Sequence, residues 1–473
     1  MFRLMALLGG MLLSSALLAQ SLPQPVLTAL QKGRVPPEAL GVYVQEVAAP
    51  GSTAPALIRW QAELPLQPAS TMKLVTSYAA LDMLGPAYSW KTSVYLNGSL
   101  DGDVLHGDLI VQGGGDPHLL AENFWQLLHQ IRAQGIRDIT GNLILDNSWM
   151  QPQSMDAAEF DHDPTRPYNV GPDALLVNFN VLNLHLHEQG ESLSLTPVTP
   201  VALQTSVQVS LGKGSCSAWR DGLQPQFSLI DQQIHLQLSG TYPRGCGDQS
   251  WMLQPYPLTP QEVTGALFRQ LWQEAGGQLE GAIVAGSVPT TAVVVTEMSS
   301  LPLPEILRAM NKHSNNVMTR LVMLTLDHQA RQAPASAAAA ATLVQNWFAR
   351  LGIDTQGLLI ENGSGLSRSE RISALQLGSM LKHAYASSVM PELLASMPVL
   401  GVDGTMKNRA LNQPVAGHAH MKSGSLEGVR AIAGYVLAAS GKRYVVVCLL
   451  NHPNASQGVS AQDVLLQWVY ANG

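Results

Sequence analysis

The chain has 473 residues, of which 46% are hydrophobic and 13% charged, and it carries a formal net charge of −7. Its length exceeds one ordinary hydrophobic core and predicts about two to four domains. The composition excludes an intrinsically disordered protein, which requires low hydrophobicity together with high net charge. The negative charge gives no support to nucleic-acid binding, and no basic run or aromatic-rich basic patch argues for it.

The amino terminus has the layout of a secretory signal peptide. Arg3 precedes an apolar stretch that ends at Leu13, and small residues follow up to Ala16 and Ala19, either of which is a candidate cleavage position. A membrane anchor fits less well, because the apolar run is shorter than the ~20 residues of a spanning helix. We predict a cleaved signal peptide at residues 1–19 and an exported, periplasmic protein.

The three cysteines predict one disulfide in an exported chain. Cys216 and Cys246 lie in segments rich in Gly, Ser and Arg and form the natural pair, whereas Cys448 lies in the apolar run YVVVCLL and is expected to be a buried free thiol. No CxxC or HExxH accompanies them, so no metal site is expected.

The first and last parts of the chain predict a sheet with helices. LGVYVQEV and ALIRWQAEL predict a hairpin, and STMKLVTSYAALDMLGP predicts a helix that begins near Ser70 and stops at Gly85. Residues 303–326 and the alanine run that begins at Ala337 predict further helices. Near the carboxyl end, HAHMKSGSLEGVRAIAGYVLAASGKRYVVVCLLN predicts three successive strands, and SAQDVLLQWVYA a closing helix.

The middle of the chain has a different texture. From Lys91 it predicts short strands, a helix at AENFWQLLHQIRAQG and another strand at GNLILDNSW. Residues 177–257 show many short alternating segments and no convincing helix, which predicts a small all-β module. A helix at LTPQEVTGALFRQLWQEAG and strands at AIVAGSV and TTAVVVTEMSS follow.

A possible nucleophile and base lie at the start of the first long helix. Ser70 and Lys73 are three residues apart, which places both side chains on one helix face. A partly desolvated lysine near a helix amino terminus can lose its proton near neutral pH and activate a hydroxyl. The spacing alone is weak evidence, because serine and lysine often recur this way on solvated helices.

Two further motifs follow in a fixed order. Ser314 and Asn316 fall between two helical stretches, and Lys422 begins KSGS in a strand run. Helix capping and a solvated strand edge are the ordinary uses of such residues. The order of the three motifs on helix, loop and strand is that of the SxxK, SDN-like and KTG motifs of serine acyl enzymes.

The mature chain resembles the class C low-molecular-mass penicillin-binding proteins, which are serine D-alanyl-D-alanine carboxypeptidases and endopeptidases. The likeness includes GDLIVQGGGDP, LILDNSW, ENGSGLSRS, PVLGVDGTMKNR and KSGSLEGVRAIAGYV. It implies an α+β multidomain protein with a penicillin-recognising, β-lactamase/transpeptidase-like core of antiparallel sheet with helices. An inserted α/β-type domain that itself carries a small all-β domain completes the expected fold.

We expect the following domain boundaries. The catalytic domain combines residues 20–90 and 296–473, because the three motifs must converge on one site. The first inserted domain combines residues 91–176 and 256–295, and the β-rich domain within it covers residues 177–255.

The resemblance also implies roles for the motif residues. Ser70 attacks the substrate, Lys73 is the general base, Ser314 relays a proton and Asn316 holds the substrate amide. Lys422 receives the terminal carboxylate.

Further substrate contacts are implied around the third motif. Ser423, Gly424 and Ser425 are expected to bind substrate, and the backbone N–H groups of Ser70 and Ser425 are expected to form the oxyanion hole. Asp146 and Arg368 are implied to bind the ammonium and carboxylate of a diaminopimelate side chain.

Two positions depart from the family pattern. The third motif is KSG rather than KTG, but Ser423 keeps a hydroxyl for a carboxylate. Arg320 stands after the second motif where an acidic residue is expected, and the sequence offers no explanation for it. Neither change removes a group that the chemistry requires.

Other patterns have ordinary interpretations. The glycines of GGGDP after a strand lack the GxGxxG spacing and a Walker lysine, so a turn is the better interpretation. His185 and His187 share a strand face, as do His418 and His420, but the sequence offers no further metal ligands. No cofactor and no metal are therefore expected.

The expected partners are peptidoglycan stem peptides, with β-lactam antibiotics as covalent inhibitors and no nucleic acid. A β-lactamase or esterase on the same core and a catalytically silent cell-wall binding protein stay as alternatives. The oligomeric state, any association with the membrane surface or cell wall, and the balance between carboxypeptidase and endopeptidase activity are left open.

Overall fold

The computed structural model describes residues 21–47, 55–153 and 155–473. The predicted signal peptide lies outside the described residues. The chain forms two compact units: unit 1 combines described residues up to 88 with 302–327 and 337–473, and unit 2 combines 89–301 with 328–336. The finer boundaries expected for the inserted domains stay a prediction.

The described residues form helices and strands in the following order along the chain. The α-helices are α1 Gln24–Lys32, α2 Lys73–Leu84, α3 Ala121–Ala133, α4 Pro260–Glu274, α5 Leu303–His313, α6 Asn316–Arg331, α7 Ala337–Arg350, α8 Ala374–Tyr385, α9 Met390–Ser396 and α10 Val459–Asn472. The β-strands are β1 Leu40–Glu46, β2 Ile58–Trp60, β3 Lys91–Asp101, β4 Val104–Gln112, β5 Asp138–Ile139, β6 Leu143–Asp146, β7 Leu182–Gln189, β8 Ser192–Pro197, β9 Leu203–Gly212, β10 Leu223–Ile230, β11 Gln233–Pro243, β12 Gln249–Leu253, β13 Gln278–Leu279, β14 Ile283–Ala285, β15 Val293–Ser299, β16 Ala419–Leu426, β17 Val429–Leu437 and β18 Arg443–Asn451.

Unit 1 is built on an antiparallel sheet with strand order β16-β17-β18-β1-β2. The central strand β18 is a continuous apolar run, because α1 and α10 cover one face of the sheet and α8 packs against the other. The core on the first face includes Val26, Leu30, Val42, Val44, Ile432, Val446, Leu450, Leu465 and Val469.

Helix α2 is the buried centre of the helical part of unit 1. Every residue from Lys73 to Leu81 is buried, and the helix packs against α5, α7, α8 and α9. A helix that is apolar all round needs such cover on every side. This packing fixes the residues at the start of α2.

Unit 2 has a mixed sheet with order β13-β5-β4-β3-β15, to which β6 and β14 add beside β4. Helices α3 and α4 supply Phe124, Leu128, Phe268 and Leu271 to its core. The segment predicted to be all-β contains β7 to β12 in two three-stranded sheets, and its core is continuous with that of the mixed sheet. A disulfide joins Cys216 and Cys246 in this segment.

Most of the predicted elements are confirmed. Helix α2 ends at Gly85, whose φ of 80° suits glycine, and α7 begins at Ala337. The three strands near the carboxyl end are β16, β17 and β18, and Cys448 is buried in the last of them. Strand β2 is shorter than predicted, because Gln61 adopts a left-handed φ of 42° directly after Trp60.

Among the described residues, no helix has both the length and the apolar character needed to cross a bilayer.

Candidate active site

Ser70 lies in a 3₁₀ turn, Ala69–Met72, that leads into α2. Ala69 directly before it has a left-handed φ of 46°, which is unfavourable for a residue with a Cβ and is typical of strained functional turns. Gly365 packs against the backbone of Ala69 so closely that any Cβ would collide with it. The tertiary structure thus holds Ser70 in a conformation that its local sequence does not favour.

Lys73 is completely buried and makes three polar contacts. Its Nζ lies 3.1 Å from Ser70 Oγ, 2.6 Å from Asn316 Oδ1 and 2.5 Å from the carbonyl oxygen of Ser364. Burial, and then the positive charge of Lys422, lower the pKa of Lys73 well below its usual value. A lysine with a lowered pKa, which loses its proton more readily than a free lysine, therefore lies beside the Ser70 hydroxyl.

The second motif lies where α5 ends and α6 begins. Ser314 closes α5 with a left-handed φ of 57°, and Asn316 is the first residue of α6. This sharp reversal directs both side chains toward lysines of the other two motifs: Asn316 contacts Lys73, and Ser314 contacts Lys422.

Lys422 is also completely buried, within β16. Its Nζ donates to Ser314 Oγ at 2.8 Å and to the carbonyl oxygen of Ser423 at 2.8 Å. Burial lowers the pKa of Lys422 to about 7. A second buried lysine with a lowered pKa therefore lies next to the Ser314 hydroxyl.

The rest of the KSGS motif brings the edge strand to the nucleophile. A Cβ at Gly424 would lie 2.9 Å from the backbone nitrogen of Ser70, so only glycine allows this approach. Ser423 Oγ lies 2.8 Å from Thr405 Oγ1, and Ser425 is exposed. The five predicted catalytic residues and the KSGS segment all belong to unit 1.

The two residues implied in diaminopimelate binding lie in different units. Asp146 ends β6 of unit 2 and is completely buried, and its oxygens accept hydrogen bonds from Ser148 N, Val288 N and Gln112 Nε2 at 2.8–2.9 Å. Burial alone would raise the pKa of Asp146, but these donors hold it below its usual value. Arg368 belongs to unit 1 and is exposed.

These contacts change what is expected of Asp146. Its carboxylate already accepts hydrogen bonds from the backbone N–H groups of Ser148 and Val288, and none of its surface is exposed to solvent. The geometry therefore favours a role in shaping this strand end over direct contact with a peptide, and the direct contact stays a prediction.

Sequence reasoning missed several residues around the three motifs. The carbonyl of Ser364, the hydroxyl of Thr405 and the carboxylate of Glu370 were not predicted, and Arg320 had no explanation. The glycine-rich GSG of ENGSGLSRS was the available signal, because Gly363 and Gly365 both adopt left-handed φ values. Arg320 is 8% exposed and lies in α6, within the electrostatic influence of Glu370.

The histidine pairs have ordinary partners or positions. His187 pairs with Asp248, and His185 contacts Ser250. Within the part of the chain that the structure describes, no group of three or more His, Cys, Asp or Glu side chains could hold a metal ion.

The site combines two serine–lysine pairs, Ser70 with Lys73 and Ser314 with Lys422, beside the edge strand of an antiparallel sheet. This combination defines the class of penicillin-recognising serine acyl enzymes. Comparison with known proteins supports this class. The chain is 26% identical over 394 residues to D-alanyl-D-alanine carboxypeptidase DacB of Haemophilus influenzae, with 81% of this chain and 80% of the relative covered. It is 28% identical over 402 residues to D-alanyl-D-alanine carboxypeptidase of Actinomadura sp. strain R39, with 80% and 72% covered.

The fold is also that of a solved structure. Penicillin-binding protein 4 (dacB) from Haemophilus influenzae matches with a TM-score of 0.80 and 23% identity over 94% of this chain and 99% of that chain. The model of the D-Ala-D-Ala carboxypeptidase 3 (S13) family matches residues 22–471. The chain therefore belongs to this family and is a serine-type DD-peptidase.

Proposed function

We propose that this protein cleaves the D-Ala-D-Ala ends or the D-Ala-diaminopimelate cross-links of peptidoglycan through an acyl-enzyme on Ser70, and that penicillins acylate the same residue. The observation that carries the proposal is the pair of buried lysines, each hydrogen-bonded to a serine: Lys73 to Ser70 and Lys422 to Ser314.

Acylation begins with proton transfer from Ser70 to Lys73. A neutral Lys73 amine can accept the hydroxyl proton over the 3.1 Å between Nζ and Oγ while Oγ attacks the penultimate D-Ala carbonyl. We assign the oxyanion hole to the backbone N–H groups of Ser70 and Ser425. Donors of this kind contribute about 10²–10³ in rate each.

The leaving amine must gain a proton when the peptide bond breaks. Ser314 can pass a proton to that nitrogen and take one from Lys422, whose Nζ lies 2.8 Å from Ser314 Oγ. Asn316 holds the substrate amide in this scheme. Terminal D-Ala leaves in the carboxypeptidase reaction, a cross-linked peptide leaves in the endopeptidase reaction, and water then hydrolyses the ester on Ser70.

We predict a decline of kcat/KM for D-Ala-D-Ala peptides as the pH rises through about 7. Above that value Lys422 loses the charge that attracts the terminal carboxylate and supplies the relay proton, since burial lowers its pKa to about 7. A pH series of kcat/KM measures this decline. Lys422→Arg keeps its charge throughout the range and should show no such decline, whatever its absolute rate. An equal decline in both proteins would contradict the assignment.

The same core could serve a β-lactamase, which must hydrolyse its penicillin ester rapidly. Some β-lactamases use a glutamate to activate the water for this step. The carboxylate that influences Lys73 here is Glu370, which is completely buried and whose Oε1 accepts three backbone N–H groups. We therefore predict a long-lived penicillin acyl-enzyme. Intact-mass spectra after removal of free penicillin measure its lifetime, and rapid release of penicilloate with full turnover would favour the β-lactamase.

Diaminopimelate recognition by Arg368 is a further part of the proposal. The exposed guanidinium can hold the side-chain carboxylate in a two-pronged contact that lysine-containing peptides cannot make. Arg368→Ala should reduce kcat/KM for diaminopimelate peptides by the equivalent of ~2–5 kcal/mol if the pair is desolvated, and leave penicillin acylation unchanged. Arg350→Ala, an exposed arginine of α7, is the matched control. Equal turnover of both peptide types by the unmodified enzyme would exclude this role.

Asp146 needs a separate test because of its burial. Asp146→Asn keeps the shape of the side chain but only one acceptor oxygen, and its NH₂ group would face an N–H donor that the carboxylate now accepts. Asp146→Ala leaves all these buried donors unpaired and should lower stability by ~1–3 kcal/mol. If Asp146 binds the ammonium group directly, Asp146→Asn should lower kcat/KM for peptides with a side-chain ammonium and leave penicillin acylation unchanged. Equal loss of both activities together with a lower melting temperature would indicate a structural role.

The whole proposal is tested by incubation with purified muropeptides, both monomeric and cross-linked, followed by product identification. Release of D-Ala or of monomers supports it, and the ratio of the two products measures the balance of activities. A catalytically silent cell-wall binding protein would release neither product, and that result would contradict the proposed catalytic roles of Ser70 and the two lysines.

We also propose export to the periplasm with removal of residues 1–19. The basis is the sequence pattern at the amino terminus together with a peptidoglycan substrate, which lies outside the cytoplasmic membrane. Amino-terminal sequencing of the mature protein tests it, and an intact amino terminus at Met1 in the cytoplasmic fraction would contradict it.

A further inference from the structure

The third partner of Lys73 is a backbone carbonyl, and several side chains hydrogen-bond to the loop that carries it. The carbonyl oxygen of Ser364 accepts from Lys73 Nζ at 2.5 Å. Ser364 belongs to a glycine-containing loop that follows residue 360 and has no regular secondary structure. Buried backbone N–H groups need hydrogen-bond partners, so the groups that bind the N–H groups of this loop help to fix its conformation.

Glu370 satisfies three consecutive N–H groups of this loop with one oxygen. Its Oε1 accepts from Glu361 N at 3.1 Å, Asn362 N at 3.0 Å and Gly363 N at 2.8 Å. The Glu370 side chain is completely buried. Charge-assisted bonds to backbone N–H groups are stronger than neutral ones, and burial removes the competition from water.

The same loop is tied to the helix that carries Lys73. Thr76 Oγ1, one turn along α2, donates to the carbonyl oxygen of Gly363 at 2.9 Å. Asn362 Oδ1 accepts from Ser364 N at 2.9 Å and from Ser364 Oγ at 2.6 Å. The position of the Ser364 carbonyl relative to Lys73 therefore depends on contacts at both sides of the loop.

Arg320 is a second buried charged group, on another element of the site. Arg320 lies one turn after Asn316 on α6 and is 8% exposed. Burial lowers the pKa of Arg320, and the charge of Glu370 raises it. The same two groups act on the pKa of Lys73 in opposite directions. A completely buried carboxylate is costly unless it is hydrogen-bonded or near an opposite charge, so the three N–H donors and the charge of Arg320 together compensate the burial of Glu370.

We propose that Glu370 is a positioning residue of the active site, which acts through the loop at residues 361–364 to hold the Ser364 carbonyl against Lys73, and that Arg320 is its counter-charge. This inference rests on the proposed role of Lys73 as the base. It also explains the departure at Arg320, because a cation there complements an anion at residue 370.

If Glu370 and Arg320 influence Lys73, changing either charge should shift the pH dependence of acylation, which a purely structural role would not do. The charged groups that act on Lys73 are Lys422, Glu370 and Arg320. Glu370 raises the pKa of Lys73, and Arg320 lowers it. Lys73 acts as a base only when neutral, so the acid limb of the acylation rate against pH follows its pKa. Removing the Glu370 charge should therefore move that limb to lower pH. Removing the Arg320 charge should move it to higher pH.

The test measures the rate of penicillin acylation against pH for Glu370→Gln, Glu370→Ala, Arg320→Gln and the double variant Arg320→Gln/Glu370→Gln. Glu63→Ala, at an exposed residue of unit 1, is the control. Glu370→Gln keeps an acceptor for the three N–H groups and should lose less than about tenfold in rate, whereas Glu370→Ala should lose about 10- to 100-fold, as misplaced catalytic groups do. Measurements are made below the melting temperature of each variant.

The expected result is opposite displacement of the acid limb in Glu370→Gln and Arg320→Gln, with the double variant between them. Lower rates without any displacement would mean that the pair is structural only, and rates equal to those of the unmodified enzyme in Glu370→Ala would exclude positioning. Lys73→Met and the unmodified enzyme are measured in parallel. If the unmodified enzyme is acylated and Lys73→Met is not, a negative result overturns the inference alone, whereas acylation of Lys73→Met at the full rate overturns the proposed base as well.

Discussion

Replacing Ser70 by alanine is expected to abolish both penicillin acylation and peptide cleavage. The variant removes the atom that forms the ester, and loss of a nucleophile in a serine peptidase costs about 10⁶-fold in kcat. The change is small in volume and leaves Lys73 with its contacts to Asn316 and Ser364. Fluorescent-penicillin labelling and D-Ala release from a diaminopimelate pentapeptide measure the two losses.

The matched control for this prediction is Ser440→Ala, an exposed serine in the turn before β18. It should label and turn over like the unmodified enzyme. Covalent labelling that persists in Ser70→Ala would move the nucleophile to another residue and would contradict the assignment of the first motif.

Replacing Lys73 by methionine is the second large expected effect. Methionine fills a similar buried volume but cannot accept the Ser70 proton, and general bases contribute about 10²–10⁴-fold in rate. We expect acylation to slow by that factor and the melting temperature to fall modestly, because methionine fills the buried position but cannot donate the hydrogen bonds that Lys73 makes to Asn316 and Ser364. Stopped-flow acylation kinetics and thermal unfolding measure the two properties together.

Lys442→Met is the control, because Lys442 is a solvent-exposed lysine paired with Glu46. Its acylation rate should be unchanged. A Lys73→Met rate within about tenfold of the unmodified enzyme would show that another group takes the proton, and Lys422 through Ser314 would be the first group to examine.

The three motifs could be predicted because their information is local. Ser70 and Lys73 are one helical turn apart, and the turn residues around Ser314 mark a break between two helices, so the sequence pattern placed each on its element. The antiparallel order of the last three strands followed from short turns between apolar runs. Their convergence in unit 1 was expected from the chemistry, and the structure brings their side chains within hydrogen-bonding distance.

The remaining features depend on long-range packing. Ser364 is 291 residues from Lys73 in the chain, and no periodicity indicates that its carbonyl meets that lysine. The left-handed backbone of Ala69 opposes its local preference and is imposed by the neighbouring loop. The burial of Asp146 likewise follows from the sheet of unit 2, whereas the family resemblance implied that its carboxylate contacts the substrate.

The acyl-enzyme on Ser70 is tested most directly by peptide mapping of the protein after brief reaction with benzylpenicillin and after reaction with a diaminopimelate pentapeptide quenched in acid. We expect a mass increase on the peptide that contains Ser70 in both reactions, with fragmentation placing it on that residue. A stable adduct on any other residue, or peptide cleavage by a protein whose Ser70 is never modified, would show that Ser70 is not the nucleophile.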